Sequence, residues 1–160
     1  MDSGRGAVLS VVGLVVVVTA ATATPLWTVP AENDLPPLGD GTASVSVAST
    51  PDRATLDAGR QGGNVYSLEV PETAIQVSQL QGNPILTYSI DIDTLGYSRG
   101  SVTSLAEIGE GETRVSMARD AIDGESLDRD RYPGRLQLVL RGDGGEETLF
   151  TKNITVEVRR

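Results

Sequence analysis

Carboxylates are the side chains of this sequence that could do acid–base or metal chemistry, because the chain contains no histidine and no cysteine. Those absences remove the Ser-His-Asp and Cys-His nucleophile arrangements and the usual zinc ligands. The sequence also lacks the Gly-rich spacings that hold phosphates between a strand and a helix. A catalytic or metal-binding site would therefore have to consist of aspartate and glutamate.

One acidic pair lies in the middle of the chain. Asp91-Ile92-Asp93 begins like a calcium-binding loop. Leu95, however, occupies a position that needs an oxygen ligand, and Val102 occupies the position of the bidentate glutamate. We therefore predict Asp91 and Asp93 on the solvent face of a strand.

A second acidic group lies in residues 120–131, which are polar enough to form a loop or a single helical turn. Its carboxylates offer the oxygen ligands that calcium prefers, and they are the weak metal candidates of the chain: Asp120, Asp123, Glu125, Asp128 and Asp130. The alternative is a solvated acidic loop. A glycosidase-like carboxylate pair is a third alternative, which no spacing supports. The sequence thus indicates no catalytic residue and no cofactor.

Asn153-Ile154-Thr155 has the pattern of an N-glycosylation acceptor. Asn153 has the parity opposite to that of Ile154 and Val156, so we expect its side chain to face solvent. Modification requires the domain to lie outside the cytoplasm. Asn153 is therefore the glycosylation candidate of the chain.

The elements that position these residues are predicted to be strands. Apolar and polar residues alternate with period two through much of residues 42–160, most clearly in 86–92 and 136–140. Residues 150–158 return from a Gly-rich turn as the second strand of a hairpin, with a bulge or an exposed end expected near Lys152. About eight short strands are predicted, a pattern typical of an all-β, antiparallel β-sandwich.

Tyr132-Pro133-Gly134-Arg135-Leu136 enters the strand that is predicted to pair with the last one. This segment resembles the penultimate-strand region of immunoglobulin-like domains, in which a corner tyrosine hydrogen-bonds back to the preceding chain. The resemblance implies an Ig-like sandwich and such a bond from Tyr132. It does not imply kinship with true immunoglobulins, whose cysteine and core tryptophan pattern is absent.

An uncharged run extends from Gly6 to Pro30. Within this run, the eighteen residues 7–24 would form a helix of about 27 Å, just short of the hydrocarbon thickness of a membrane. Pro25 would end that helix, and Trp27 fits an interfacial aromatic belt. The basic flank before the run and the acidic flank after it favour an N-terminus in the cytoplasm. We therefore divide the chain into a cytoplasmic N-terminus (1–6), a transmembrane helix or signal segment (7–29), a linker (30–41) and an extracytoplasmic β-sandwich (42–160).

Three fates of the N-terminal segment stay open. It is an uncleaved anchor that holds the chain in the membrane, or a signal peptide cut near Ala23 at the A-x-A pattern Ala21-Thr22-Ala23. Alternatively, Arg5-Gly6-Ala7-Val8 resembles archaeal prepilin and archaellin leaders, which are cut just before the hydrophobic segment. That resemblance implies a helix packed in a filament core.

The composition is acidic, with 22 acidic against 13 basic residues and a net charge of −9, and Lys152 is the one lysine. This balance resembles that of extreme halophiles, especially haloarchaea, and it argues against a nucleic acid partner. We expect a non-catalytic binding or structural module at a halophile cell envelope, with an envelope protein as partner. The alternatives are a pilin-like filament subunit and an envelope hydrolase that uses carboxylates.

Overall fold

The structure is a computed structural model that describes residues 36–59 and 64–160. These residues form ten strands: β1 (Asp40–Ser49), β2 (Arg53–Ala58), β3 (Val65–Glu69), β4 (Thr73–Asn83), β5 (Ile85–Ile92), β6 (Tyr97–Ser104), β7 (Gly111–Val115), β8 (Asp120–Asp123), β9 (Arg131–Gly142) and β10 (Gly145–Arg159). A single α-helical turn, α1 (Leu105–Ile108), follows β6, and 3-10 turns cover Asp93–Leu95 and Gly124–Ser126.

The predicted membrane or signal segment, residues 7–29, lies outside the described residues. Within residues 36–59 and 64–160, no helix has the length and apolar character needed to cross a membrane.

The strands form two sheets, as expected for an all-β sandwich. The smaller sheet has the order β1-β4-β7, and the larger sheet has the order β6-β5-β9-β10-β2-β3-β8. All neighbouring strands run antiparallel except β2 and β10, which pair in parallel from Arg53 with Thr155 to Asp57 with Arg159. The predicted all-β architecture is confirmed, with ten strands in the described residues where about eight were expected, and with one parallel pair.

The core lies between the sheets because alternate residues of each strand point inward. Strand β5 shows this most clearly, since Leu86, Tyr88, Ile90 and Ile92 are all buried and the residues between them are half-buried. The three leucines of β9 are also buried, as the alternation predicted. Tyr88 meets Phe150 of β10 edge to face, with ring centroids 6.5 Å apart. Alternation therefore set which face of each strand is buried.

The C-terminal hairpin has the predicted position. Strands β9 and β10 are joined through Asp143 and Gly144, and Gly145 takes a φ of 93°, a conformation that glycine adopts without strain. The register shifts between Thr148 and Phe150, so a bulge lies shortly before Lys152. Lys152 itself is half-buried, and its ammonium group donates to Thr50 Oγ1 at 2.9 Å.

Residues 143–159 run alongside residues 41–57 in the same direction and at a constant offset in sequence. The contacts of Gly41 with Asp143 and of Thr50 with Lys152, and the ladder that starts with Arg53 and Thr155, all join residues 102 positions apart. In between, β1 pairs with β4 in the other sheet. The two sheets are therefore held together along this side at both ends of β1.

Two segments differ in detail from the sequence expectation. Strand β1 begins at Asp40, inside the predicted linker, because Gly39 already donates its N–H to the Asn83 carbonyl at 2.9 Å. Residues Asp120–Asp123 form the edge strand β8, where a loop or a helical turn was predicted. Four residues with a single buried side chain, Ile122, offer too little alternation to reveal a strand from sequence.

Candidate functional site

A cleft of about 240 Å³ lies on the outward face of the larger sheet, and it collects polar side chains from three strands and a turn. The register places Asp91 of β5 opposite Arg135 of β9, and Arg135 opposite Asn153 of β10. Asp93 joins them from the 3-10 turn that follows β5. Antiparallel pairing thus assembles two carboxylates, a guanidinium and an amide within one cleft.

The charge of Asp91 is compensated inside this cleft. Its carboxylate accepts a hydrogen bond of 2.6 Å from the Ser98 hydroxyl and lies 3.8 Å from Nε of Arg135. The exposed Asn153 amide and the Asp93 carboxylate stay open to solvent. The cleft can therefore hold a polar group through ionic and amide contacts, and Asn153 is exposed as its sequon parity predicted.

The five weak metal candidates of residues 120–130 do not converge. Asp120 lies on β8, Asp123 accepts the Glu125 N–H at 3.0 Å, and Asp130 lies 3.3 Å from the Arg160 guanidinium. Asp128 accepts the Tyr132 hydroxyl. Across residues 36–59 and 64–160, no group of three or more carboxylates is arranged to hold a metal ion.

Asp120 instead joins the two outer strands of the larger sheet. Its carboxylate accepts the Tyr97 hydroxyl at 2.9 Å and pairs with the Arg99 guanidinium at 2.5 Å, and both partners lie on β6. The Arg99 hydrogen bond, with that of Tyr97, holds the pKa of Asp120 below its usual 3.8. Partial burial, with the neighbouring Asp120 charge, raises the pKa of Tyr97 to about 12.

The edges of the larger sheet are therefore turned toward each other and bridged. The Ser101 hydroxyl of β6 adds a bond of 2.9 Å to the carbonyl of Ser116, the residue that follows β7 and begins the connection to β8. An unprotected strand edge is a template for pairing with another chain. Contacts of residues 97–101 with the Asp120 side chain and the Ser116 carbonyl occupy this edge, so the bridge has a structural role.

A second cavity, of about 170 Å³, lies between the start of β1 and the β9–β10 turn. Its walls are mainly backbone and small side chains, with Glu147 as the one ionisable residue in the lining. Asp143 closes one side, because its carboxylate accepts the Gly41 N–H at 2.6 Å and its own N–H donates to the Gly41 carbonyl at 2.8 Å. A cavity of this size fits one aliphatic side chain.

Sequence reasoning missed the residues that make these contacts. Arg99 and Tyr97 gave no signal, because their partner Asp120 is more than twenty positions away along the chain. Asp143 lies in the predicted Gly-rich turn, and its contact with Gly41, which anchors β1, has no signal in the local sequence. Asp91 and Arg135 could have been matched from the strand alternation once the register of β5 and β9 was known.

Comparisons with protein-family models, with curated proteins and with solved structures found no match to this chain.

Proposed function

We propose that this chain is a membrane-anchored, extracytoplasmic binding or structural module of a halophile cell envelope, and that it is not an enzyme. The observation that carries the proposal is the uncharged run from Gly6 to Pro30, with Arg5 before it and Glu32 and Asp34 after it. A run of this length and flank asymmetry is typical of a segment that enters a membrane with its N-terminus inside.

The contacts of the carboxylates support a non-catalytic role. Asp120 bridges two strands, Asp143 anchors β1, and Asp128 meets the corner tyrosine. Asp91 is paired with Arg135 and Ser98. Acidic side chains that form such contacts stabilise the fold. Recognition of a ligand or partner is then a role for the exposed faces of the sheets.

We propose further that the sandwich is of the immunoglobulin-like type. The sheet orders β1-β4-β7 and β6-β5-β9-β10, with β2 running parallel to β10, support this assignment. The corner tyrosine supports it as well: Tyr132 is buried, and its hydroxyl accepts the Arg129 N–H at 2.9 Å. Strands β3 and β8 extend the larger sheet beyond β2.

The halophile assignment is supported by where the charges lie. All ten ion pairs among the described residues are at least partly exposed, and most of their basic members are arginine. An acidic surface of this kind keeps a protein soluble through net charge and carboxylate hydration.

The test is the mass of the N-terminus of the full chain after expression in a haloarchaeal host. An intact leader in the membrane fraction supports the anchor. A mature N-terminus at Thr24 makes the protein secreted, and one at Gly6 or Ala7 makes it pilin-like; either result overturns the anchor.

Orientation is tested separately, because the chain contains no cysteine. A Ser46→Cys variant places one thiol on an exposed position of β1. On intact cells we expect a membrane-impermeant maleimide to label this thiol without permeabilisation. Labelling that requires lysis would place the domain inside and contradict the proposal.

A further inference from the structure

No described strand covers the outward face of β6, β5, β9 and β10. Because β5 buries Leu86, Tyr88, Ile90 and Ile92, the residues between them point outward, and residues directly opposite on neighbouring strands share that face. Two adjacent rows across the four strands are formed by Val102, Thr87, Val139 and Thr148 and by Gly100, Ser89, Gln137 and Thr151.

These eight residues, which we name the neutral face, carry no charge. The row on one side contains Arg141 and Glu146, which lie 4.0 Å apart. The row on the other side contains Arg135 and Asp91, which lie 3.8 Å apart. The patch as a whole therefore has balanced charge, in a chain with a net charge of −9.

Apolar side chains distinguish this patch from the opposite side of the molecule. The outward face of β1 and β4 is also largely uncharged, but it presents serine, threonine and glutamine, such as Ser46 opposite Gln76. On the neutral face, Val102 is 62 % exposed, the highest value for a large apolar side chain in any described strand. Val139 and Ile85 are half-buried on the same face.

We propose that the neutral face is the contact surface for a second copy of this chain. Carboxylates that are brought into direct contact repel each other even in concentrated salt, where the Debye length is about 3 Å at 1 M, so contact between two copies is favoured where charge is balanced. When two copies meet about a two-fold axis, each row that flanks the neutral face, with its one arginine and one carboxylate, faces a flanking row of the other copy. The aliphatic side chains then lie at the centre and the ion pairs lie at the rim.

The area of the neutral face together with its two charged flanking rows indicates a weak dimer. Four strands about 4.8 Å apart and four rows about 6.8 Å apart give about 500 Å² on each copy. The total of about 1,000 Å² is at the lower limit for a specific interface. This association does not require the membrane anchor, so it goes beyond the proposed function and can fail independently of it.

Disulfide trapping tests the dimer, because a cysteine-free chain reports only the thiols that are introduced. Full-length Val102→Cys is compared with full-length Ser46→Cys, which places an exposed thiol on the face of the other sheet. Both variants carry Asn153→Gln, so that no glycan lies beside the contact. We expect the disulfide-linked dimer to form with Val102→Cys at least about tenfold faster than with Ser46→Cys. The reason is that binding would hold the two Val102→Cys thiols together, whereas the Ser46→Cys thiols would meet only by random collision.

A blocking substitution at Gly100 provides the matched control. A Cβ at this position would meet Ser89, Tyr88 and Thr87 only at ordinary contact distances of 3.5 Å or more, so we expect the domain to tolerate a side chain that extends into solvent. Adding Gly100→Gln to the Val102→Cys variant should lower the dimer rate about tenfold, because the new side chain occupies the contact. Equal rates for the two thiols, a faster Ser46→Cys reaction, or no effect of Gly100→Gln would each overturn the proposal.

Discussion

Replacing the corner tyrosine with phenylalanine tests which contacts hold the loop before β9. Tyr132 is 1 % exposed, so Tyr132→Phe keeps the packing of the ring and removes only the hydroxyl. That hydroxyl accepts the Arg129 N–H at 2.9 Å and donates to Asp128 Oδ1 at 3.0 Å. The variant therefore removes one neutral and one charge-assisted hydrogen bond at a single atom.

The expected loss follows from these two bonds. A neutral hydrogen bond contributes about 1 kcal/mol net, and one to a charged group about 1.5–3 kcal/mol. Both partners, Arg129 and Asp128, are exposed and regain water when the hydroxyl is removed, which lowers the cost. We therefore expect Tyr132→Phe to lower the free energy of unfolding by about 1–2 kcal/mol. For a domain of this size, that corresponds to a fall in Tm of about 5 °C.

Calorimetry of the full chain measures this shift, with Tyr66→Phe as the matched control. Tyr66 is half-buried, and no hydrogen bond of its hydroxyl occurs among the described residues, so its replacement should change Tm by less than about 2 °C. Equal Tm values for Tyr132→Phe and Tyr66→Phe would refute the argument. The Tyr132 hydroxyl would then contribute nothing to stability beyond what water supplies.

Three further predictions concern stability. The hydrogen bond from Arg99 lowers the folded-state pKa of Asp120 from 3.8. The contribution of the Asp120 charge to the free energy of unfolding is therefore complete above the unfolded-state pKa, and it is lost as pH falls through the lowered value. The stability difference between wild type and Asp120→Asn, measured by urea unfolding, should shrink below about pH 4. Within residues 36–59 and 64–160 the buried hydroxyl of Thr73 has no partner in hydrogen-bond geometry, so Thr73→Val should raise the free energy of unfolding by about 1 kcal/mol; a fall would show that the hydroxyl is paired, with the Tyr88 hydroxyl as the neighbour that could pair with it. Gly41→Ala should unfold the domain or shift β1, since the new Cβ would lie 2.1 Å from the Gln81 carbonyl at a φ of 106°, and an unchanged amide spectrum would contradict this.

Local patterns in the sequence predicted much of the fold. The alternation in residues 86–92 places apolar side chains on one face, and burial of that face decides the strand. The hairpin of β9 and β10 was predictable because its apolar alternation is interrupted by a Gly-rich turn. In both cases the signal lies within a few consecutive residues.

What the sequence did not predict depends on contacts between distant residues. The parallel pairing of β2 with β10 has no local pattern, since the same alternation serves parallel and antiparallel neighbours. Lys152 has the strand parity of the buried Ile154, and its ammonium group is accommodated there because it donates to Thr50, 102 positions earlier. The balanced charge of the row beside the neutral face depends likewise on pairing, because Arg135 and Asp91 become neighbours only in the register of β5 and β9.

The glycosylation candidate Asn153 and the proposed dimer contact lie in the same region of the larger sheet. Asn153 lies opposite Arg135, in the row that borders the neutral face, and its side chain is exposed on that side. A glycan on Asn153 would occupy space over this row, whereas a second copy needs the row to be empty. A single molecule therefore cannot carry the glycan and form the dimer contact at once. If Asn153 carries a glycan, the glycan covers the neutral face and the chain remains a monomer. If Asn153 is unmodified, the neutral face is free to bind another copy.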